Sequence, residues 1–287
     1  MPLNVRRMTL ADLPAADALR ALAGWNQTLT DWQRFLALEP DGCFVAEWDG
    51  RVIGTATTLC YGLELGWIGM MLVHPEHRRH GVGGALLERC IACLRDRGVG
   101  SIKLDATPLG KKLYDRFGFV DEWTLTRWTR AATVRPPSAS VPNPCLRPWR
   151  EADHAFVDRL SADSFGVPRG PLLLALARES GRAVVSESAW GTVTGYGQLR
   201  DGSRALYLGP VMAETPSDAL LIVEALLADT RGHGVYWDIP DANTPVADWA
   251  RGAGFTPERP LIRMFLGRNT ALSDPLRQHA LAGPELG

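Results

Sequence analysis

An apolar run from Trp67 to Val73 meets a proline two residues later, then passes through a basic, glycine-bearing turn straight into a helix. The apolar stripe of that helix is Leu86, Leu87, Cys90, Ile91 and Leu94. This junction constrains the fold more than any other stretch of the chain. Pro75 has no N–H to offer a neighbouring strand, so pairing stops there. Gly81 and Gly83 tolerate positive φ and let the backbone come close to a ligand. The N–H groups of the turn and first helical residues then face outward, backed by the positive end of the helix dipole. Such an arrangement suits an anion, a pyrophosphate in particular. The expected cradle runs through Arg78, Arg79, His80, Gly81, Val82, Gly83, Gly84 and Ala85. Two other phosphate motifs are missing. No Gly-Lys is followed by Ser or Thr, and a dinucleotide fingerprint begun at Gly81 would need glycine where Leu86 stands.

The surrounding elements read as β-α-α-β-β-β-α-β-α-β. Residues 3–8 alternate like a strand, and 10–22 and 29–38 are helical. Residues 43–48 and 52–61 alternate about Asp49-Gly50, a type I′ hairpin signal. Strands at 67–73, 102–105 and 119–129, with helices at 83–97 and 111–116, complete the set. The run 131–144 holds four prolines and no apolar periodicity, and reads as a semi-rigid linker. Beyond it the same order recurs, with helices at 153–162, 172–179, 217–230 and 246–251 among strands at 145–149, 183–187, 192–199, 205–211, 235–239 and 261–266. The halves end on related phrases, Arg116-Phe117-Gly118-Phe119 and Gly252-Ala253-Gly254-Phe255. The expectation is therefore an α/β (α+β) mixed sheet used twice, in domains at 1–130 and 145–268. Residues 269–287 read as a loosely held tail.

The phrase Val73-x-Pro75-x-x-Arg78-Arg79-x-Gly81-x-Gly83 resembles the acyl-CoA signature of the GCN5-related N-acetyltransferase (GNAT) family. The core of that signature is R/Q-x-x-G-x-G/A, and Arg78, Gly81 and Gly83 fall on it. A second family phrase, LYEKLGF, is matched by Leu113-Tyr114-Asp115-Arg116-Phe117-Gly118-Phe119. The resemblance covers roughly residues 1–130 and implies acetyl-CoA as co-substrate, with no metal. It implies a central strand that splays from the next, with Met71, Leu72 and Val73 beside the pantetheine arm. It implies Tyr114 as the general acid that protonates the departing sulfur. Thr107 and Gly110 stand where the family usually has Asn and Ala, and Thr107 is the expected pantetheine contact. A proton acceptor for the amine is expected at Glu64 or Asp105, or in an ordered water chain. Trp25, Asn26 and Gln27 fall where the family walls its acceptor pocket.

Two cysteine and histidine patterns are read conservatively. Cys90-x-x-Cys93 lies on or beside the apolar stripe and is expected to be core rather than a zinc or redox pair. His74, His77 and His80 are expected to be solvated or phosphate-facing. The second half carries no Arg-x-x-Gly-x-Gly, places Glu214 and Asp218 where phosphates would sit, and has Ala250 in the place of Tyr114. It resembles a degenerate, YitH-type GNAT domain, so two tandem GNAT-like acyl-CoA N-acyltransferase domains with one active site are expected.

The function this implies is N-acetyl transfer from acetyl-CoA to a primary amine of a small molecule. A non-catalytic acyl-CoA-binding sensor and a protein or peptide N-acetyltransferase remain open alternatives. The formal net charge of −1 offers no field for nucleic acid or an anionic membrane, so neither is an expected partner. No apolar run approaches the roughly 20 residues that span a bilayer. Five irregularly spaced cysteines fit a reducing compartment, and a cytoplasmic monomer or homodimer is expected.

Overall fold

The computed structural model describes residues 3–133, 143–228, 230 and 232–287, so most of the linker expected at 131–144 lies outside the described residues. By contacts the chain divides into two units. The first holds the chain up to Asp121 with Met264–Thr270 and Leu286, and the second holds Glu122–Arg263, Ala271–Glu285 and Gly287.

In the first unit the elements are β1 (Asn4–Arg7), α1 (Leu13–Leu22), α2 (Leu29–Leu38), β2 (Cys43–Trp48), β3 (Arg51–Tyr61), β4 (Leu65–Val73), α3 (Val82–Asp96), β5 (Ser101–Ala106) and α4 (Pro108–Arg116). β1 to β4 form an antiparallel meander. β5 joins β4 in parallel. Asp49 and Gly50 both take positive φ, 50° and 73°, as the hairpin signal requires. α3 buries Leu86, Leu87, Cys90, Ile91 and Leu94 on the sheet. Its approach depends on Gly66 of β4, where a Cβ would lie 2.7 Å from Leu94 Cδ2. Cys90 and Cys93 are buried free thiols in that core.

The second unit repeats the plan. β6 (Val120–Arg130) contributes its residues from Glu122 onward. It is followed by β7 (Leu146–Pro148), α5 (His154–Phe165), α6 (Gly170–Ser180), β8 (Ala183–Glu187), β9 (Val193–Arg200), β10 (Leu206–Ala213), α7 (Pro216–Ala228), β11 (Val235–Pro240), α8 (Thr244–Gly252), β12 (Thr256–Gly267) and β13 (Gln278–Ala280). β7 to β10 are antiparallel in sequence. β11 is parallel to β10, and β6 pairs antiparallel with β11 from Leu125 to Arg130. The last strand of the first half thus belongs mainly to the second unit, while the end of β12, from Met264, belongs to the first. Strand pairing rewards matched edges and faces, whatever the order along the chain.

The repeat extends to individual residues. Arg6 donates to both carboxylate oxygens of Asp12 at 2.8 Å and to Glu47 at 2.6 Å. Arg147 does the same with Asp153, at 2.7 and 2.8 Å, and Glu187, at 2.6 Å. Each aspartate also accepts a backbone N–H three residues before it, from Thr9 and Arg150. The sequence shows this duplication only once the folded partners are known.

The loosely held tail expected from 269 is corrected by the structure. Gln278, His279, Ala280, Leu281, Ala282 and Leu286 are all at most 1% exposed. β13 pairs with β10, which gives the segment backbone partners and an apolar floor.

Candidate active site

The first unit converges on the junction singled out in the sequence. β4 and β5 pair only at Leu65–Trp67 and Ser101–Lys103, and beyond these the two strands diverge. Opposite this opening β4 carries a bulge. Thr57 faces Gly69 and Thr55 faces Leu72, so Met70 and Met71 together oppose a single residue of β3. Met70 is a non-glycine at φ +49°, held by the buried Thr55 hydroxyl, which donates to the Met70 carbonyl at 2.8 Å. The bulge turns the backbone of Met71, Leu72 and Val73 relative to a regular strand. Neither the bulge nor Thr55 stood out in the sequence; a Thr facing a Met-Met pair is too weak a local signal.

Past Val73 a single turn of 3-10 helix at Pro75–His77 leads into the cradle. Arg79 takes φ +65° and Gly81 φ +84°. Gly81 is the N-cap of α3 and supplies no side-chain cap. Among the described hydrogen bonds none is donated by the backbone N–H of Arg79, His80, Gly81, Val82, Gly83 or Gly84, and the first intrahelical bond is that of Ala85 to Gly81, 3.0 Å. Arg78, Arg79 and His80 are exposed beside these amides, and Arg78 Nε donates to the Val73 carbonyl at 3.3 Å. Gly83 is needed for close packing: a Cβ there would lie 3.3 Å from Leu113 Cδ2 and 3.8 Å from Val73 Cγ2. The end of β4, the start of α3 and the body of α4 therefore meet at one point.

Tyr114 is on α4 and 8% exposed. Burial, with Cys90 adding to it, pushes its phenol above the ordinary tyrosine value, so it holds its proton at neutral pH. Its ring packs edge-on against Phe119 and lies over Gly110, where a Cβ would be 3.1 Å from Tyr114 Cε2. Thr107 is the N-cap of α4, its hydroxyl accepting from the Gly110 N–H at 3.2 Å. α4 thus begins at Pro108, a turn earlier than the sequence suggested, because proline is well suited to the first helical position.

The remaining candidates are more scattered. Asp105 is half-buried on β5, beyond the last residue paired with β4. Glu64 is exposed in the turn before β4, about 20 Å along that strand from Met70, so the structure does not bring it to the bulge. Trp25, Asn26 and Gln27 connect α1 to α2, and α1 packs on β3 and β4. Asn26 is buried, and Gln27 Oε1 is a buried acceptor with no partner among the described residues. The rings of His74 and His77 lie 5.5 Å apart, and Trp48 stands 6.2 Å from His77 and 6.3 Å from His80. Among the described residues no group of His, Cys, Asp or Glu is arranged to hold a metal.

The second unit has the same skeleton without these features. Its bulge falls at Gly209 and Pro210, the counterparts of Met70 and Met71, so one of the two N–H groups is replaced by a tertiary amide nitrogen with no hydrogen. The start of α7 is already capped, since the Thr215 hydroxyl accepts from the Asp218 N–H at 3.2 Å. Tyr114 and Ala250 are each the seventh residue of a nine-residue helix.

Comparisons with known proteins match each half separately. A family profile described as an acetyltransferase (GNAT) domain matches residues 39–121, and a second with the same description matches 157–278. The uncharacterized N-acetyltransferase YitH of Bacillus subtilis is 29% identical over 208 residues, 72% of this chain and 71% of YitH. A mycothiol acetyltransferase of Acidimicrobium ferrooxidans is 33% identical over 116 residues, 35% of this chain and 37% of that protein. A crystal structure from Pyrococcus horikoshii, of a provisionally assigned acetyltransferase, covers 99% of this chain and 96% of its own at 22% identity and a TM-score of 0.83. A tandem GNAT protein from the clavulanic acid biosynthesis pathway covers 92% of this chain and 98% of its own at 16% identity and a TM-score of 0.68. At such identities the two structures speak for the fold alone. With both halves matched by GNAT profiles, the chain belongs to the GCN5-related N-acetyltransferase family as a tandem member, and it is an acyltransferase.

Proposed function

We propose that the first unit moves an acetyl group from acetyl-CoA to a primary amine of a small molecule, by direct attack in a ternary complex. The observation that carries this reading is the row of amides from Arg79 to Gly84 that have no partner among the described hydrogen bonds, next to the edge where β4 leaves β5. The diphosphate of the cofactor binds those amides, with the Arg78 and Arg79 charges beside them. The pantetheine arm lies along Met71, Leu72 and Val73 and reaches Thr107. Amides at the bulge polarise the thioester carbonyl. The amine nitrogen attacks the carbonyl carbon, the C–S bond breaks, and Tyr114 gives its proton to the departing sulfur. The proton lost by the amine passes to Asp105 or to water. Trp25, Asn26 and Gln27 contact the acceptor, where the unsatisfied Gln27 oxygen suits an N–H donor. Holding the two reactants together supplies much of the acceleration.

The test is release of free thiol from acetyl-CoA across amines, amino acids, polyamines and peptides. Tyr114→Phe should lower the turnover at least about 10²-fold while the KM for acetyl-CoA stays within about 2-fold. A mutant as fast as the parent would remove Tyr114 from the acid role. Thioester binding without thiol release by any amine would favour the sensor reading.

A further inference from the structure

The second unit repeats the parallel strand pair whose pairing stops short in the first, and there another segment of the unit lies beside the strands. β10 and β11 run in parallel through Leu206–Leu208 and Val235–Trp237, with no pairing beyond. β13 enters there, pairing antiparallel with β10 at Val211 with Ala280 and Met212 with Gln278. β11 grips it from the other side. The Leu281 N–H donates to the Asp238 carbonyl at 3.0 Å, and Trp237 Nε1 donates to the His279 carbonyl at 2.9 Å. The Asn243 side-chain amide donates to the carbonyls of Leu276, 3.2 Å, and Gln278, 3.4 Å. The Tyr207 hydroxyl lies 2.8 Å from Asp238 Oδ2 and 3.3 Å from the Leu281 carbonyl, and the Arg200 guanidinium donates to the Ala282 carbonyl. Even the bulge is cut to fit: a Cβ on Gly209 would lie 2.0 Å from the Leu281 oxygen.

An extended peptide and a pantetheine arm offer a strand edge the same thing, amide donors and acceptors on a narrow chain. We infer that residues 278–282 are an intramolecular occupant of the acyl-carrier cleft of the second unit, seated where the first unit leaves room for the pantetheine arm. The chain accordingly binds one coenzyme A, not two. The occupant satisfies the backbone groups that a cofactor would otherwise pair with, and at the start of α7 the Asp218 N–H is already taken by the Thr215 hydroxyl. The count of one rests on the reading of the first unit; the occupancy does not.

Hydrogen exchange of the full chain, with and without saturating coenzyme A, tests both parts when combined with calorimetric titration. Amides at 278–282 should exchange at least about 10²-fold slower than in an unstructured peptide, and coenzyme A should change this by less than about 2-fold. Titration should give about one coenzyme A per chain. Slower exchange of less than that factor, faster exchange on adding coenzyme A, or two bound per chain overturns the inference. A protected tail with no coenzyme A bound would refute the reading of the first unit and uphold the occupant. In the double variant Asn243→Ala, Tyr207→Phe, exchange at 278–282 should quicken about 10-fold with the coenzyme A count unchanged. Unaltered exchange there would show that the segment is not held by the cleft.

Discussion

Thr55→Val isolates the bulge on β4. Thr55 is completely buried, and its hydroxyl is the side-chain partner of the Met70 carbonyl, 2.8 Å away. Met70, 1% exposed, sits at φ +49°, a left-handed conformation that costs a non-glycine residue roughly 1–2 kcal/mol. Valine keeps the shape of threonine, so packing is nearly preserved, but a carbonyl is left buried without that donor, at a cost of about 1–3 kcal/mol. The hydrogen bond is thus comparable to the strain it restrains. Without it the bulge has reason to relax, and a 2 kcal/mol change shifts a local equilibrium by about 30-fold. If amides at the bulge polarise the thioester, turnover should fall at least about 10-fold. The KM for acetyl-CoA should stay within about 3-fold, because the diphosphate cradle is a separate stretch of backbone. Urea unfolding and thiol-release kinetics measure the two effects, and Thr55→Ser, which keeps the hydroxyl, should retain most of the turnover. A stability loss of the stated size with unchanged turnover would refute the link between bulge and catalysis. No stability loss would show that the strain at Met70 is restrained by something else.

Gly81→Val places a β-branched residue at φ +84° and should weaken acetyl-CoA binding at least about 10-fold by calorimetry. The Arg6 guanidinium, then the Thr9 amide and hydroxyl, hold the Asp12 carboxyl down at about 2, from 3.8. The folded state therefore gains from Asp12 above pH 3.8 and loses that gain as pH falls toward 2. Because Arg6 is partly exposed, Asp12→Asn should cost about 1–2 kcal/mol at neutral pH and flatten the acid slope of stability in urea titrations. Burial lowers His279 to about 4, from 6.5. As pH drops below 6.5 the unfolded chain takes up this proton first, so stability should decline between pH 6.5 and 4 by up to about 3 kcal/mol. His279→Gln should remove that portion of the slope.

The strand–turn–helix junction was legible because its chemistry is local. Pro75, Gly81 and Gly83 act on the backbone where they stand, and the mixed sheet, the Asp49-Gly50 hairpin and the buried Cys90 and Cys93 follow from short-range patterns of the same kind. The missing cradle and Ala250 marked the second half as different from the first for the same reason. Glu64 could be named from its neighbours but not placed, since a strand of nine residues separates two ends that look adjacent on paper. The bulge at Met70 was invisible, for it arises from how Thr55 and Thr57 register against β4.

What the amino-acid order decided alone was which backbone can turn, which helix start is left uncapped and which half keeps its tyrosine, all consequences of single residues and their immediate neighbours. Folding in three dimensions decided the partner of β6, the duplicate ion clusters at Arg6 and Arg147, and the burial of residues 278–282 beside β10 and β11. Those outcomes pair groups far apart in sequence. Each depends on which edges and donors remain unsatisfied once everything else has packed, a sum no local pattern records.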